Sequence, residues 1–227
     1  MNNSTVNTII KKLKSNYSDP VWERRMSPID ELIFTILTQH TSDLNAEKAF
    51  NNLKRHYDNY ENIISADDKK IAKLIKSGGL SNIKSKRIIS VLSEIKNRVG
   101  KLNIDFLKDM SITKARNWLT SINGIGPKTA SCVLAFSFGL PVIPVDTHVH
   151  RVSKRIGLIS SKVSADEAHG ILENKVKTED RYKFHVLIIE HGRKVCHSRK
   201  PSCVKCSIQN LCKFQRQINL KMLGFDP

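Results

Sequence analysis

Along most of this 227-residue chain, apolar positions recur three and four residues apart, the period of an amphipathic helix. "DELIFTIL" opens at Asp30 with its apolar residues on one face and runs on into "TQHTSD". "DLNAEKAFNNLKRHY" has the same spacing, with Asp43 placed to cap it. "KKIAKLIKSGG" stops at Gly78 and Gly79, and "IKSKRIISVLSEIKNRVG" runs to Gly100. "SITKARNWLTSI" starts at Ser111. "PKTASCVLAFSFG" has Pro127 at a favoured first-turn position and stops at Gly139. "SADEAHGILENKV" opens on Ser164 with acidic residues in its first turn. "RYKFHVLIIEHGRKVC" is apolar through its middle. Only "LPVIPVDT" reads as extended, and its two prolines make it a connector, not a sheet strand. The pattern predicts an all-α protein. A composition shift over residues 139–144 marks a domain crossing, with a basic, cysteine-bearing end beyond it.

Charge narrows the class of partner. Lysine and arginine number 38 against 21 acidic residues, a formal net charge of +17. The basic residues are spread along the chain, which suits an anionic polymer, nucleic acid before membrane. No run approaches the length of a membrane span, and the first twenty residues lack the apolar core of a secretory signal. The expectation is a soluble intracellular protein.

The segment "SINGIGPKTASCVL" raises a chemical question. Two predicted helices flank "INGIG", the layout of a helix-hairpin-helix over residues 111–138. Gly124 and Gly126 allow unusual backbone angles and close approach, so the turn at Asn123, Gly124, Ile125 and Gly126 can offer backbone N–H groups to a phosphate. Such a contact holds DNA without reading its bases. A nucleotide-binding P-loop fails on spacing, because Pro127 intervenes and a helix precedes. Lys128 then stands where a helix N-terminus disfavours a cation. The segment supports two roles for it. It is a phosphate contact, or it is an amine poised to lose its proton and attack a carbon electrophile.

Asp146 follows the stiff connector and precedes a helical run. On this segment it reads first as an N-cap, and an aspartate so placed can also stabilise a cation or relay protons. Seventeen residues lie between Lys128 and Asp146.

"CHSRKPSCVKCSIQNLC" holds Cys196, Cys203, Cys206 and Cys212, separated by six, two and five residues. Clustered thiols in an intracellular chain suit a metal centre, either an iron–sulfur cluster or zinc. Cys132, in an apolar run, reads as a core thiol. Arg193, Arg199 and Lys200 lie around the cysteine motif, and a metal-tied loop carrying cations suits phosphate contact.

Taken together, "INGIGPKTA", "VDTHVHRV", "EHGRKVC" and the Cys-x6-Cys-x2-Cys-x5-Cys ending resemble the endonuclease III family of base-excision DNA glycosylases. "ELIFTILTQHTSD" and "GLSNIKSKRI" resemble two earlier loops of that family, so the likeness runs over about residues 28–213. The resemblance implies two helical domains with a DNA groove between them: a six-helix domain over 28–140, and a cluster domain from residues 1–27 plus 141–227. It implies a [4Fe–4S] cluster on Cys196, Cys203, Cys206 and Cys212, with Lys128 and Asp146 as the catalytic pair. In the mechanism the resemblance implies, a damaged pyrimidine is flipped out, Lys128 attacks the sugar C1′, and the Schiff base permits β-elimination. The expected partner is double-stranded DNA with a damaged base or an abasic site. The protein is expected to act as a monomer in the cytoplasm or nucleoid of a prokaryote.

One position departs from the family pattern. A glutamine fills the gap left by the flipped base in relatives, whereas here His40 occupies that position and Gln39 precedes it. Leu80 stands where a wedge against the opposite strand is expected. Adenine-specific relatives carry a glutamate just before the first loop. None lies between Ile33 and Gln39, and Glu31 is further back. Those relatives and the thymine-mismatch relatives lack the hairpin lysine, so Lys128 argues for a bifunctional enzyme.

Overall fold

A computed structural model describes residues 3–222. In chain order its α-helices are α1 (Asn3–Asn16), α2 (Pro28–Leu37), α3 (Asp43–His56), α4 (Tyr60–Ile64), α5 (Asp68–Leu74) and α6 (Ser81–Val99). They continue as α7 (Ile112–Thr120), α8 (Pro127–Phe138), α9 (Thr147–Ile156), α10 (Ala165–Lys175), α11 (Arg181–Lys194) and α12 (Lys213–Met222). The described residues hold short 3-10 turns but no strand, so the protein is all-α as its periodicity predicts. Among them no helix is long and apolar enough to cross a membrane.

The chain divides into two compact units. Residues 24–140 form the first, with α2 to α8. Its centre is α2, buried on nearly every side and packed against α8. The buried leucines and isoleucines of α2 each contribute about 1.5–3 kcal/mol relative to exposure. This helix begins at Pro28, ahead of the Asp30 start that the pattern suggests, and Ser27 caps it: the Ser27 hydroxyl accepts from the Asp30 N–H at 3.1 Å. Asp30 is used differently. Burial alone raises its carboxyl, but hydrogen bonds from Tyr60, Ser27 and Lys54 outweigh that, and the net shift is downward. In α3 the cap is Ser42 and not Asp43, which becomes the first helical residue, where a negative charge suits the helix end. Glu31 is 1 % exposed and held by Arg25 through two bonds of 2.6 and 2.8 Å. It is a structural carboxylate.

The second unit joins the N-terminal segment to everything from Pro141 onward. Val6, Ile9, Ile10 and Leu13 of α1 enter one core with Val149 and Val152 of α9, Phe184, Leu187 and Ile188 of α11, and Ile208. Ser164 and Glu167 close a capping box at the start of α10. The connector before Asp146 is fixed by side chains instead of by a sheet. Arg181 donates to the Pro141 carbonyl at 2.7 Å, and Glu173 accepts the Ile143 N–H at 3.0 Å. His169 Nδ1 meets the Ile143 carbonyl at 2.9 Å, and His185 Nδ1 meets that of Pro144 at 2.8 Å. A carbonyl only accepts, so both imidazoles carry their proton on Nδ1 toward the connector.

Candidate catalytic and nucleic-acid site

The hairpin lies in the first unit, between α7 and α8. Gly124 has φ +95°, and a Cβ there would meet the Arg87 side chain at 2.9 Å. It therefore requires glycine twice over. Gly126 differs from the expectation: its φ of −89° suits any residue, and a Cβ would stand in open space. What its missing side chain does is leave α8 without a side-chain cap, so first-turn N–H groups remain for an outside acceptor. Asn123 is exposed, while Ile125 is buried and gives its N–H to the Ile122 carbonyl at 3.1 Å. Lys128, the second residue of α8, is half-buried. No hydrogen bond or ion pair engages its amine among the described residues. Thr129, next to it, is 3.4 Å from Gln39 Nε2.

That contact gives Gln39 different surroundings from His40. Gln39 is half-buried, and its Oε1 accepts from Arg87 at 2.5 Å while its amide nitrogen faces Thr129. His40 is exposed and sits at φ +54°. Leu80, 52 % exposed, has φ +48°. Lys200, exposed between the first two cysteines, has φ +50°. These are the three non-glycine residues with positive φ among the described residues. All three belong to the contact set expected from sequence. Left-handed backbone costs such residues on the order of 1–3 kcal/mol each and persists where the surrounding structure over-determines it.

In the second unit, Asp146 is the N-cap of α9. Its Oδ1 accepts the Val149 N–H at 2.7 Å, and the half-buried carboxylate keeps a second oxygen for other work. Capping and chemistry are thus compatible at this residue.

The four cysteines line one cavity with Arg155, His191, Ile208 and Phe214. Burial, then the Cys196 charge, raises the Cys203 thiol. Burial pushes Cys206 up to about 11 and also raises Cys212. Thiols so placed ionise together only beside a strong positive charge, which is what a metal centre provides. Among the described residues no three Cys, His, Asp or Glu side chains are grouped closely enough to hold a single metal ion. Polar support surrounds the sulfurs. Arg155 donates to Cys196 Sγ at 3.3 Å, and His191 Nε2 lies 3.5 Å from Cys206 Sγ. Burial takes His191 down to about 4, so it is neutral. Its Nδ1 is 3.1 Å from the Tyr17 hydroxyl. Arg155 also holds the carbonyls of His197 and Ser198, which leaves Arg199 and Lys200 exposed at the loop tip. Arg193 is exposed on α11.

Sequence reasoning did not find Arg87, Lys84 or the histidines that hold the connector. None carries a motif, because each is defined by a partner distant in sequence: backbone carbonyls for Lys84 and the histidines, the Gln39 amide for Arg87.

Residues 33–178 match the family described as HhH-GPD superfamily base excision DNA repair protein. An endonuclease III of Sulfolobus acidocaldarius is 36% identical over 185 residues, covering 81% of this chain and 80% of that protein. A relative in Arabidopsis thaliana named for DNA glycosylase activity is 31% identical over 79% of this chain, which spans 61% of that relative's length. Among solved structures, a non-covalent endonuclease III–DNA complex superposes with a TM-score of 0.83 at 25% identity, covering 96% of this chain and 99% of the other.

Proposed function

The chain belongs to the HhH-GPD superfamily of base excision DNA repair proteins, and from that premise we infer that this DNA glycosylase is bifunctional, removing oxidised pyrimidines from duplex DNA and cutting the strand as an abasic-site lyase. The observation that carries the reading is Lys128: an amine without an ion-pair partner among the described residues, in the first turn of an uncapped helix directly after the Gly124–Gly126 turn. A phosphate on the α8 N-terminus would hold the DNA beside it. The target nucleotide leaves the stack. The neutral Lys128 amine attacks C1′, the C1′–N bond breaks, and the base departs with a proton. Ring opening gives a Schiff base between Nζ and C1′. Loss of a C2′ proton then expels the 3′ phosphate by β-elimination. Asp146, through the oxygen not used in capping, stabilises positive charge at the sugar and carries protons.

The sulfur set supports a [4Fe–4S] cluster on Cys196, Cys203, Cys206 and Cys212. When bound, the cluster supplies the positive charge that four clustered thiolate ligands require. The chain's own part is to present Arg199 and Lys200 from the loop so tied. The partner is double-stranded DNA, engaged by a monomer.

The test is borohydride trapping on duplexes holding either an oxidised pyrimidine or a plain abasic site. A covalent adduct is expected on both. Tight binding with no adduct on either duplex would end the lyase reading.

His40, not Gln39, is the residue assigned to the gap, because Gln39 is already engaged by Arg87 and Thr129. With 2-aminopurine opposite an abasic site, His40→Ala is expected to lose the fluorescence change that accompanies insertion, and Gln39→Ala to keep it. The reverse pattern would move the role to Gln39.

A further inference from the structure

Lys84 lies in the first turn of α6 and is 1 % exposed, a burial rare for lysine. Its Nζ donates to the Leu37 carbonyl at 2.7 Å and to the Gly78 carbonyl at 2.6 Å. Leu37 is the last residue of α2, and Gly78 the last of a 3-10 turn over Lys76–Gly78. Helix C-termini leave carbonyls unpaired and carry partial negative charge. One ammonium therefore serves two C-termini at once. Burial lowers it to about 8, with a smaller push from Arg87. Being enclosed, it cannot reach a substrate as a second nucleophile.

The residues just beyond those two carbonyls give the contact its meaning. Three residues past Leu37 is His40, and two past Gly78 is Leu80, both left-handed without being glycine. Gly79 brings the two segments together: a Cβ built on it would stand 3.9 Å from the His40 carbonyl oxygen. Ser77 adds a tie, donating from Oγ to the Asn45 carbonyl at 3.2 Å. Strained residues persist only where their surroundings over-determine them. We propose that Lys84 is a positioning residue that locks His40 and Leu80 into one two-pronged unit, one prong for the gap and the other for the opposite strand. The proposal rests on the glycosylase and lyase reading above.

Lys84→Met keeps the length and removes the charge and the donors. Trapping rates would be compared on duplex and on single-stranded abasic DNA, since only the duplex requires the prongs. The duplex-to-single-strand ratio is expected to fall at least about tenfold, in keeping with the cost of ångström-scale misplacement. The 2-aminopurine insertion signal should fall with it. An unchanged ratio would overturn the clamp. General loss of fold lowers both rates together and does not mimic the expected result. Should Lys84→Met fail to fold, amide exchange in the wild type decides: slow, matched exchange at residues 38–42 and 79–81 supports the clamp, and free exchange there overturns it. A wild type that traps on neither DNA sinks the lyase reading instead.

Discussion

Lys128→Ala is expected to form no borohydride-stable adduct with either an oxidised-pyrimidine or an abasic duplex, and to cut at a rate lower by roughly 10³-fold or more. The variant removes the nucleophile and little else. Lys128 is half-buried, makes no ion pair among the described residues, and occupies a position where alanine is a better helix former. A cation near the α8 N-terminus is unfavourable, so the fold is expected to be slightly more stable without it. Duplex affinity should fall only modestly, because the backbone N–H groups of the hairpin remain. Melting, binding and trapping on one preparation separate these effects. Full trapping by Lys128→Ala would place the nucleophile elsewhere. A drop in affinity equal to the drop in rate would make Lys128 a phosphate contact and no more.

The second large effect concerns the sulfur set. Cys206→Ser is expected to yield colourless protein with substoichiometric iron and a second unit weakened by several kcal/mol, on the order of the contribution structural metals make. The reason lies in what the segment buries. Between Cys196 and Cys212, Ile208 is the one fully buried apolar side chain, and the rest is turns. A loop of that kind has little core to order it, so beyond the Arg155 contacts the proposed cluster is expected to supply much of its order. DNA binding should weaken as well, with a shallower salt slope as Arg199 and Lys200 lose their fixed place. Retained colour and iron in the variant would remove Cys206 from the ligand set. A wild type that carries zinc and no iron would replace the cluster with a zinc site on the same residues.

The helices could be read from sequence where an amphipathic period met a recognisable stop, as at Gly100 and Gly139, which end α6 and α8 in left-handed caps. Starts were less legible. Ser27 and Ser42 lost out to the acidic residues near them, since a cap and a first-turn charge look alike in sequence. Within the proposed site, Lys128, Asp146 and the cysteines can be proposed from sequence because hairpin chemistry and thiol spacing are local along the chain. The proposed preference for His40 over Gln39 has no such local signal. It rests on Arg87, 48 residues from Gln39 in sequence, reaching the amide oxygen. Nor was Lys84 legible, for "NIKSKRII" gives no sign which lysine faces inward.

Helix α1 and helix α11 share one core, yet the ring contact of Tyr17 with His191 spans 174 positions of sequence. On a ribosome adding about 5–20 residues per second, the apolar stripe of Val6, Ile9, Ile10 and Leu13 waits on the order of ten to thirty seconds for its partner to be made. Residues 24–140, by contrast, are contiguous and can complete their fold in that interval. Assembly is therefore nested along the chain: the contiguous unit forms first, and the split unit closes a loop already shortened by structure. Until then the α1 stripe has no partner to cover it, which makes it a surface for a chaperone to shield.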